Sequence, residues 1–256
     1  MESKVVDSKV SARTLVDRLE ANATTRGPDL AYRFLVAGDV DGPAEELTWA
    51  ELARRVHGVA AALRREAGRA ALLLYPPGLD FVVGFLGCMQ AGVIAVPAYP
   101  PDPRQPERAA SRLRAILADC EAAAVLTTSG VKELAAALAS PELDALGWTA
   151  TDALSASGSP STRAPGPRAK PGAGTPALIQ YTSGSTGKPK GVAISHGNLL
   201  HNEEVLRSCC ALEPADHVVG WLPVYHDLGL IGNVLQPLYV GMGCTLMCRW
   251  ISFVAP

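Results

Sequence analysis

The sequence predicts an α/β protein whose largely parallel sheets are covered by helices, and three observations carry that expectation. Short apolar runs such as Ala70–Tyr75 and Ala123–Thr127 are bounded by turn residues, as buried strands are. Stretches of helical periodicity lie between these runs, giving β-α-β alternation. Of the 256 residues, 48% are apolar and the formal net charge is only −2, which suits a sizeable core and not a basic nucleic-acid surface.

Upstream, Thr48 precedes a helical stretch over Trp49–Glu66, with Glu51 at the spacing of a capping box. The strand Ala70–Tyr75 runs into Pro76-Pro77-Gly78. Asp80 is placed to cap the next helix, which extends to about Gln90, and Gly92 suits its carboxyl end. Val93–Val96 reads as a second strand, followed by a proline-rich loop, Pro97–Pro106. A helix from Glu107 to Asp119 gathers Leu113, Ile116 and Leu117 on one face. Ala123–Thr127 makes a third strand and Val131–Ala139 a further helix.

Between Ser155 and Thr175 the composition turns to Ser, Pro, Gly and Ala, as in a flexible linker or surface loop. The expected division is a first α/β lobe over residues 1–154, the linker over 155–175, and a second lobe over 176–256. Met1–Val10 lacks the apolar core of a signal peptide. The apolar run Phe81–Ala98 is broken by Gln90, glycines and Pro97, so no membrane span is expected and the location is read as cytoplasmic. The six cysteines follow no scaffold spacing and are expected to be buried, reduced thiols; no C-x-x-C pair favours a zinc site. His57, His196, His201 and His217 read as surface or capping residues.

The densest chemistry lies in Thr182–Gly191, directly after the apolar strand Ala177–Tyr181. Four hydroxyls (Thr182, Ser183, Ser185, Thr186), three glycines (Gly184, Gly187, Gly191) and two lysines (Lys188, Lys190) share ten residues. The glycines let successive N–H groups turn toward one anion, the hydroxyls donate, and the lysines supply positive charge. This is a candidate phosphate loop, bounded by the strand Val192–Ser195. The P-loop of nucleotide hydrolases does not fit, because its first glycine would fall on Thr182 and Pro189 follows Lys188 where a hydroxyl belongs.

The loop resembles that of adenylate-forming enzymes, as do Leu47–Leu52, Ala91–Pro97 and Ser195–Leu199 in the same order. Leu73–Leu79, Val96–Pro101 and Trp221–Ile231 resemble one branch, the fatty acyl-AMP ligases. The resemblance implies the amino-terminal part of the large domain of such an enzyme. It also implies ATP with Mg²⁺, a medium- or long-chain fatty acid, and transfer of the acyl group to an acyl carrier protein. On it, Thr182, Ser183, Gly184, Ser185, Thr186, Gly187, Lys188 and Lys190 bind the nucleotide. Lys188 and His226 would be catalytic, while His226 and Asp227 would meet the substrate. An apolar run, Leu228–Val240, is a candidate wall for the acyl chain, although ordinary core accounts for it equally well. No metal ligands are assigned. The chain is expected to be catalytically incomplete and to self-associate through apolar surface. A fatty acyl-CoA synthetase and a non-catalytic binding module are the other readings.

Overall fold

The computed structural model describes residues 13–99, 106–137, 146–156, 171–182 and 189–247. Alternation along β3 (Ala70–Leu74) sets the layers. Ala71 and Leu73 face one apolar cluster, whereas Leu72 and Leu74 face another. The first cluster is covered by α2 (Trp49–Ala62) and α3 (Leu79–Ala91), the second by Leu113 and Ile116 of α4 (Pro106–Cys120). Burial on both faces is why β3 reads as a continuous apolar run. In α3, 11 of 13 residues are buried, so this helix is an interior element. At Gly87 a Cβ would lie 2.4 Å from a methyl of Val59, so the close approach of α2 and α3 requires glycine there.

The remaining elements complete two sheets. Helix α1 (Leu15–Thr25) begins with a Thr14–Asp17 capping box. It precedes β1 (Leu30–Leu35) and β2 (Ala44–Thr48). Strand β4 (Ile94–Pro97) precedes α4, which is followed by β5 (Ala124–Thr127), α5 (Ser129–Ala137), β6 (Gly147–Ala150) and α6 (Thr151–Ala156). Then follow β7 (Pro176–Thr182), β8 (Lys190–Ser195), α7 (His196–Cys209), β9 (His217–Gly220), a π-helical segment (Gly229–Leu235), α8 (Gln236–Val240) and β10 (Gly243–Met247). One sheet has the order β6-β5-β3-β4-β7-β8, parallel except for the β7–β8 hairpin. The other has the order β2-β1-β10-β9, parallel except for β1–β2. Both sheets draw strands from either side of residues 155–175.

Several local expectations change. Helix α3 is preceded by Gly78, and Asp80 lies inside its first turn, where it pairs with Arg55 at 2.6 Å instead of capping. Thr48 does accept the Glu51 N–H at 3.2 Å, but Glu51 turns its carboxylate to Arg54. Helix α2 stops at Ala62, and Arg64–Glu66 forms a separate 3₁₀ turn. Of the cysteines, Cys88 and Cys244 are buried, Cys120 is intermediate, and Cys209 and Cys210 are exposed at the end of α7, where the chain turns back toward solvent. Cys248 lies outside the described residues. His196 is buried against the core, not exposed, because the first turn of α7 packs inward.

Glu203 of α7 is also fully buried. With its amide turned to donate, Gln236 reaches the Glu203 main-chain carbonyl at 3.1 Å and its carboxyl group at 2.5 Å. Burial pushes the Glu203 carboxyl up to about 8. Folded protein therefore holds a proton that the unfolded chain, with an ordinary glutamate, releases near pH 4.5. Stability from this group is present below pH 4.5, declines as pH rises, and reaches its floor above about 8. Urea unfolding from pH 4.5 to 9 should show a loss on the order of a few kcal/mol that Glu203→Gln abolishes. Equal pH dependence in both proteins would mean that Glu203 is already ionised when folded.

Candidate active site

Strands β4 and β7 are parallel neighbours in the six-stranded sheet. Ligand crevices in open α/β sheets form outside the carboxyl ends of such strands. A cavity of about 260 Å³ lies there. Pro97, Ala98 and Tyr99 line it from the exit of β4, and Gln180, Tyr181 and Thr182 from the end of β7. Arg112 and Ile116 enter from α4, and Tyr225, His226 and Asp227 from the turn after β9.

Polar and aromatic contacts fix these groups. Gln180, almost fully buried, donates from Nε2 to the Tyr225 carbonyl at 3.0 Å, tying β7 to the residue before His226. The Tyr225 and Tyr99 rings pack with centroids 4.0 Å apart. Tyr181 donates its hydroxyl to Asp119 Oδ2 at 2.5 Å. Burial, then that bond to a carboxylate, raises the Tyr181 phenol well above its ordinary value, so it remains a proton donor. The His226 N–H donates to the Pro223 carbonyl at 3.0 Å, and its carbonyl accepts from Leu230 at 2.8 Å. His226 Nδ1 contacts the Asp227 carboxylate, which also accepts the Leu228 N–H at 2.7 Å. Both side chains are more than half exposed, so the pair is open to a ligand entering the cavity.

Thr182, His226 and Asp227, remote in sequence, thus share one cavity. Lys190 is exposed at the start of β8, opposite Thr182 in the hairpin register, and does not line it. Ser183, Gly184, Ser185, Thr186, Gly187 and Lys188 lie outside the described residues. Leu230, Val234, Leu235 and Leu238 are buried in the main core and Leu228 is exposed, so the expected acyl wall Leu228–Val240 is largely core. Sequence reasoning missed Tyr99, Arg112, Gln180, Tyr181 and Tyr225 as site residues. Tyr99 and Tyr225 stand inside stretches already singled out, whereas Arg112 carried no signal beyond standing one turn before Ile116.

The turn bearing His226 is wedged against the π-helical segment. A Cβ on Gly229 would lie 2.1 Å from the Pro223 carbonyl oxygen and 3.0 Å from that of Leu222. Gly229→Ala should therefore push the 221–227 turn away and lower stability by about 1–3 kcal/mol, the scale of an overpacked site. Urea unfolding monitored through Trp221, which stands in that turn, measures it. A change within about 0.5 kcal/mol, the range of ordinary surface substitutions, would show that the contact yields freely.

The family described as AMP-binding enzyme matches residues 19–255. The chain is 35% identical over 255 residues to the medium-chain-fatty-acid–[acyl-carrier-protein] ligase JamA of Moorena producens, covering 97% of this chain and 42% of that protein. It is 37% identical over 261 residues to the long-chain-fatty-acid–AMP ligase FadD32 of Mycolicibacterium smegmatis, covering 94% and 40%. The crystal structure of a fatty acyl-adenylate ligase from L. pneumophila, in complex with acyl adenylate and pyrophosphate, matches with a TM-score of 0.77 at 30% identity, over 93% of this chain and 40% of that one. The chain thus spans about two fifths of the length of these relatives. It belongs to the AMP-binding enzyme family, with fatty acyl-AMP ligases among its relatives.

Proposed function

We propose that the complete protein activates a medium- or long-chain fatty acid with ATP and passes the acyl group to an acyl carrier protein. The observation that carries this reading is the meeting of Thr182, the first residue of the hydroxyl- and lysine-rich loop, with His226 and Asp227 in one cavity. In the reaction a carboxylate oxygen bonds to the α-phosphorus of ATP and the bond to pyrophosphate breaks, leaving acyl-adenylate. Anion must approach anion, so positioning and positive charge dominate the catalysis.

Lys188 and the hydroxyls of Ser183, Ser185 and Thr186 suit the phosphates by their chemistry, and Lys190 adds charge at the loop's exit. His226, with Asp227 against its Nδ1, would orient the carboxylate. Mg²⁺ would arrive on the nucleotide's own phosphates. Among the described residues no three His, Cys, Asp or Glu side chains are grouped to hold a metal ion. No helix among them is long and apolar enough to cross a membrane. ATP and a carrier protein as co-reactants would place the reaction in the cytoplasm. A fatty tail supplies strong binding: ten methylenes at about 0.8 kcal/mol each give roughly 8 kcal/mol at most. The carrier as acceptor is supported by the name of JamA, an acyl-carrier-protein ligase.

The test is fatty-acid-dependent exchange of pyrophosphate into ATP by the full-length protein, with carrier protein and coenzyme A as competing acceptors. Changing Thr186 and Lys188 together to Ala should cut exchange by about two orders of magnitude or more, the scale for lost oxyanion donors. His226→Ala should slow adenylate formation without lowering the melting temperature. Undiminished exchange in both variants, or transfer to coenzyme A alone, would refute the corresponding assignment.

A further inference from the structure

We infer that Arg112 is a further positioning residue of this site, holding a phosphoryl oxygen of the nucleotide in the cavity that Thr182 also lines; the identity of that anion rests on the function proposed above. Arg112 is the one Lys or Arg lining the cavity among the described residues. It is half-buried there, one helical turn before the buried Ile116. Its guanidinium carbon sits 5.4 Å from the centroid of the Tyr99 ring. Tyr99 in turn packs on Tyr225, and Gln180 holds the Tyr225 carbonyl. The guanidinium is thereby fixed relative to the backbone that presents His226.

A guanidinium held over a ring keeps its N–H donors in its own plane, directed past the ring edge. Among the described residues no carboxylate lies within ion-pairing distance of it. Two acids of this region, Asp119 and Asp227, are otherwise engaged. Asp119 accepts from Tyr181, and Asp227 contacts His226 and the Leu228 N–H. A partly desolvated cation facing a cavity, its planar fork without an ion-pair partner among the described residues, is matched to a tetrahedral oxyanion that accepts two parallel hydrogen bonds. Phosphate fits better than the fatty carboxylate. Thr182, which opens the hydroxyl- and lysine-rich run, lines the same cavity, while His226 already faces the carboxylate's place.

Two measurements on the full-length protein test this. Arg112→Gln keeps a planar group over Tyr99 and removes the charge, and Arg112→Lys keeps the charge and removes the fork. In pyrophosphate exchange, Arg112→Gln should raise KM for ATP at least tenfold and leave KM for the fatty acid within twofold, with Arg112→Lys between it and wild type. Direct titration with inorganic pyrophosphate alone should show at least tenfold weaker binding to Arg112→Gln at an unchanged melting temperature. An unchanged KM for ATP, a rise confined to the fatty acid, or equal pyrophosphate binding would overturn the assignment. Failure of the wild-type protein to exchange pyrophosphate would instead strike the proposed function. The pyrophosphate titration would still decide whether Arg112 holds a phosphoryl anion.

Discussion

The parallel pairing of β4 with β7 is the constraint on which the site depends. Ala95 lies opposite Leu178, and carrying that register forward puts Pro97 opposite Gln180. The chain between them forms α4, β5, α5, β6 and α6 before returning, so closing this pair orders a long excursion. Once made, it sets the two strand ends side by side. One contributes Tyr99 and the other Gln180 and Thr182. The β7–β8 hairpin pairs Thr182 with Lys190, so both described flanks of the hydroxyl- and lysine-rich run stand at that same end of the sheet. The location of this cavity is thus a consequence of strand order, in line with the general habit of α/β sheets.

What the sheet cannot supply is the wall formed by Tyr225, His226 and Asp227, and the π-helical segment Gly229–Leu235 that follows braces it. Its apolar residues Leu230, Val234 and Leu235 are anchored in the core, which fixes the start of the helix and hence the turn bearing His226. Two glycines permit the fit. Gly229 lets the segment close on the Pro223 carbonyl, and Gly220, at the end of β9, makes room for the Asn233 amide. The irregular hydrogen bonding of a π segment is less favourable than α-helix and tends to survive where it re-aims a functional group. Gln180, itself almost fully buried, completes the clamp by donating to the Tyr225 carbonyl, and left without that acceptor its amide would be costly to bury.

The electrostatics of the cavity follow from these placements. Its lining acid, Asp227, is held by His226 and a main-chain N–H, and Asp119, which does not line it, is held by the Tyr181 hydroxyl. Arg112 is held by an aromatic face. An anion entering the cavity meets donors whose competing charges are already engaged, and this preorganisation spares the site much rearrangement on binding.

By itself, the sequence determined the alternation from α2 through β5 and the position of the candidate phosphate loop. These depend on local causes: apolar period, turn residues, caps and glycine freedom act within a few positions. His226 and Asp227 stand in an ordered run of short motifs, and the structure puts both on the cavity lining. Only the tertiary structure decided that strands from both sides of residues 155–175 share each sheet, because strand pairing rewards contacts distant in the chain. Only it exposed Cys209 and Cys210, buried His196 and Glu203, and turned most of Leu228–Val240 into core. Arg112 is the clearest case. In sequence it is one cation on an amphipathic helix, and its place over Tyr99 depends on the separate packing of α4, the exit of β4 and the turn after β9.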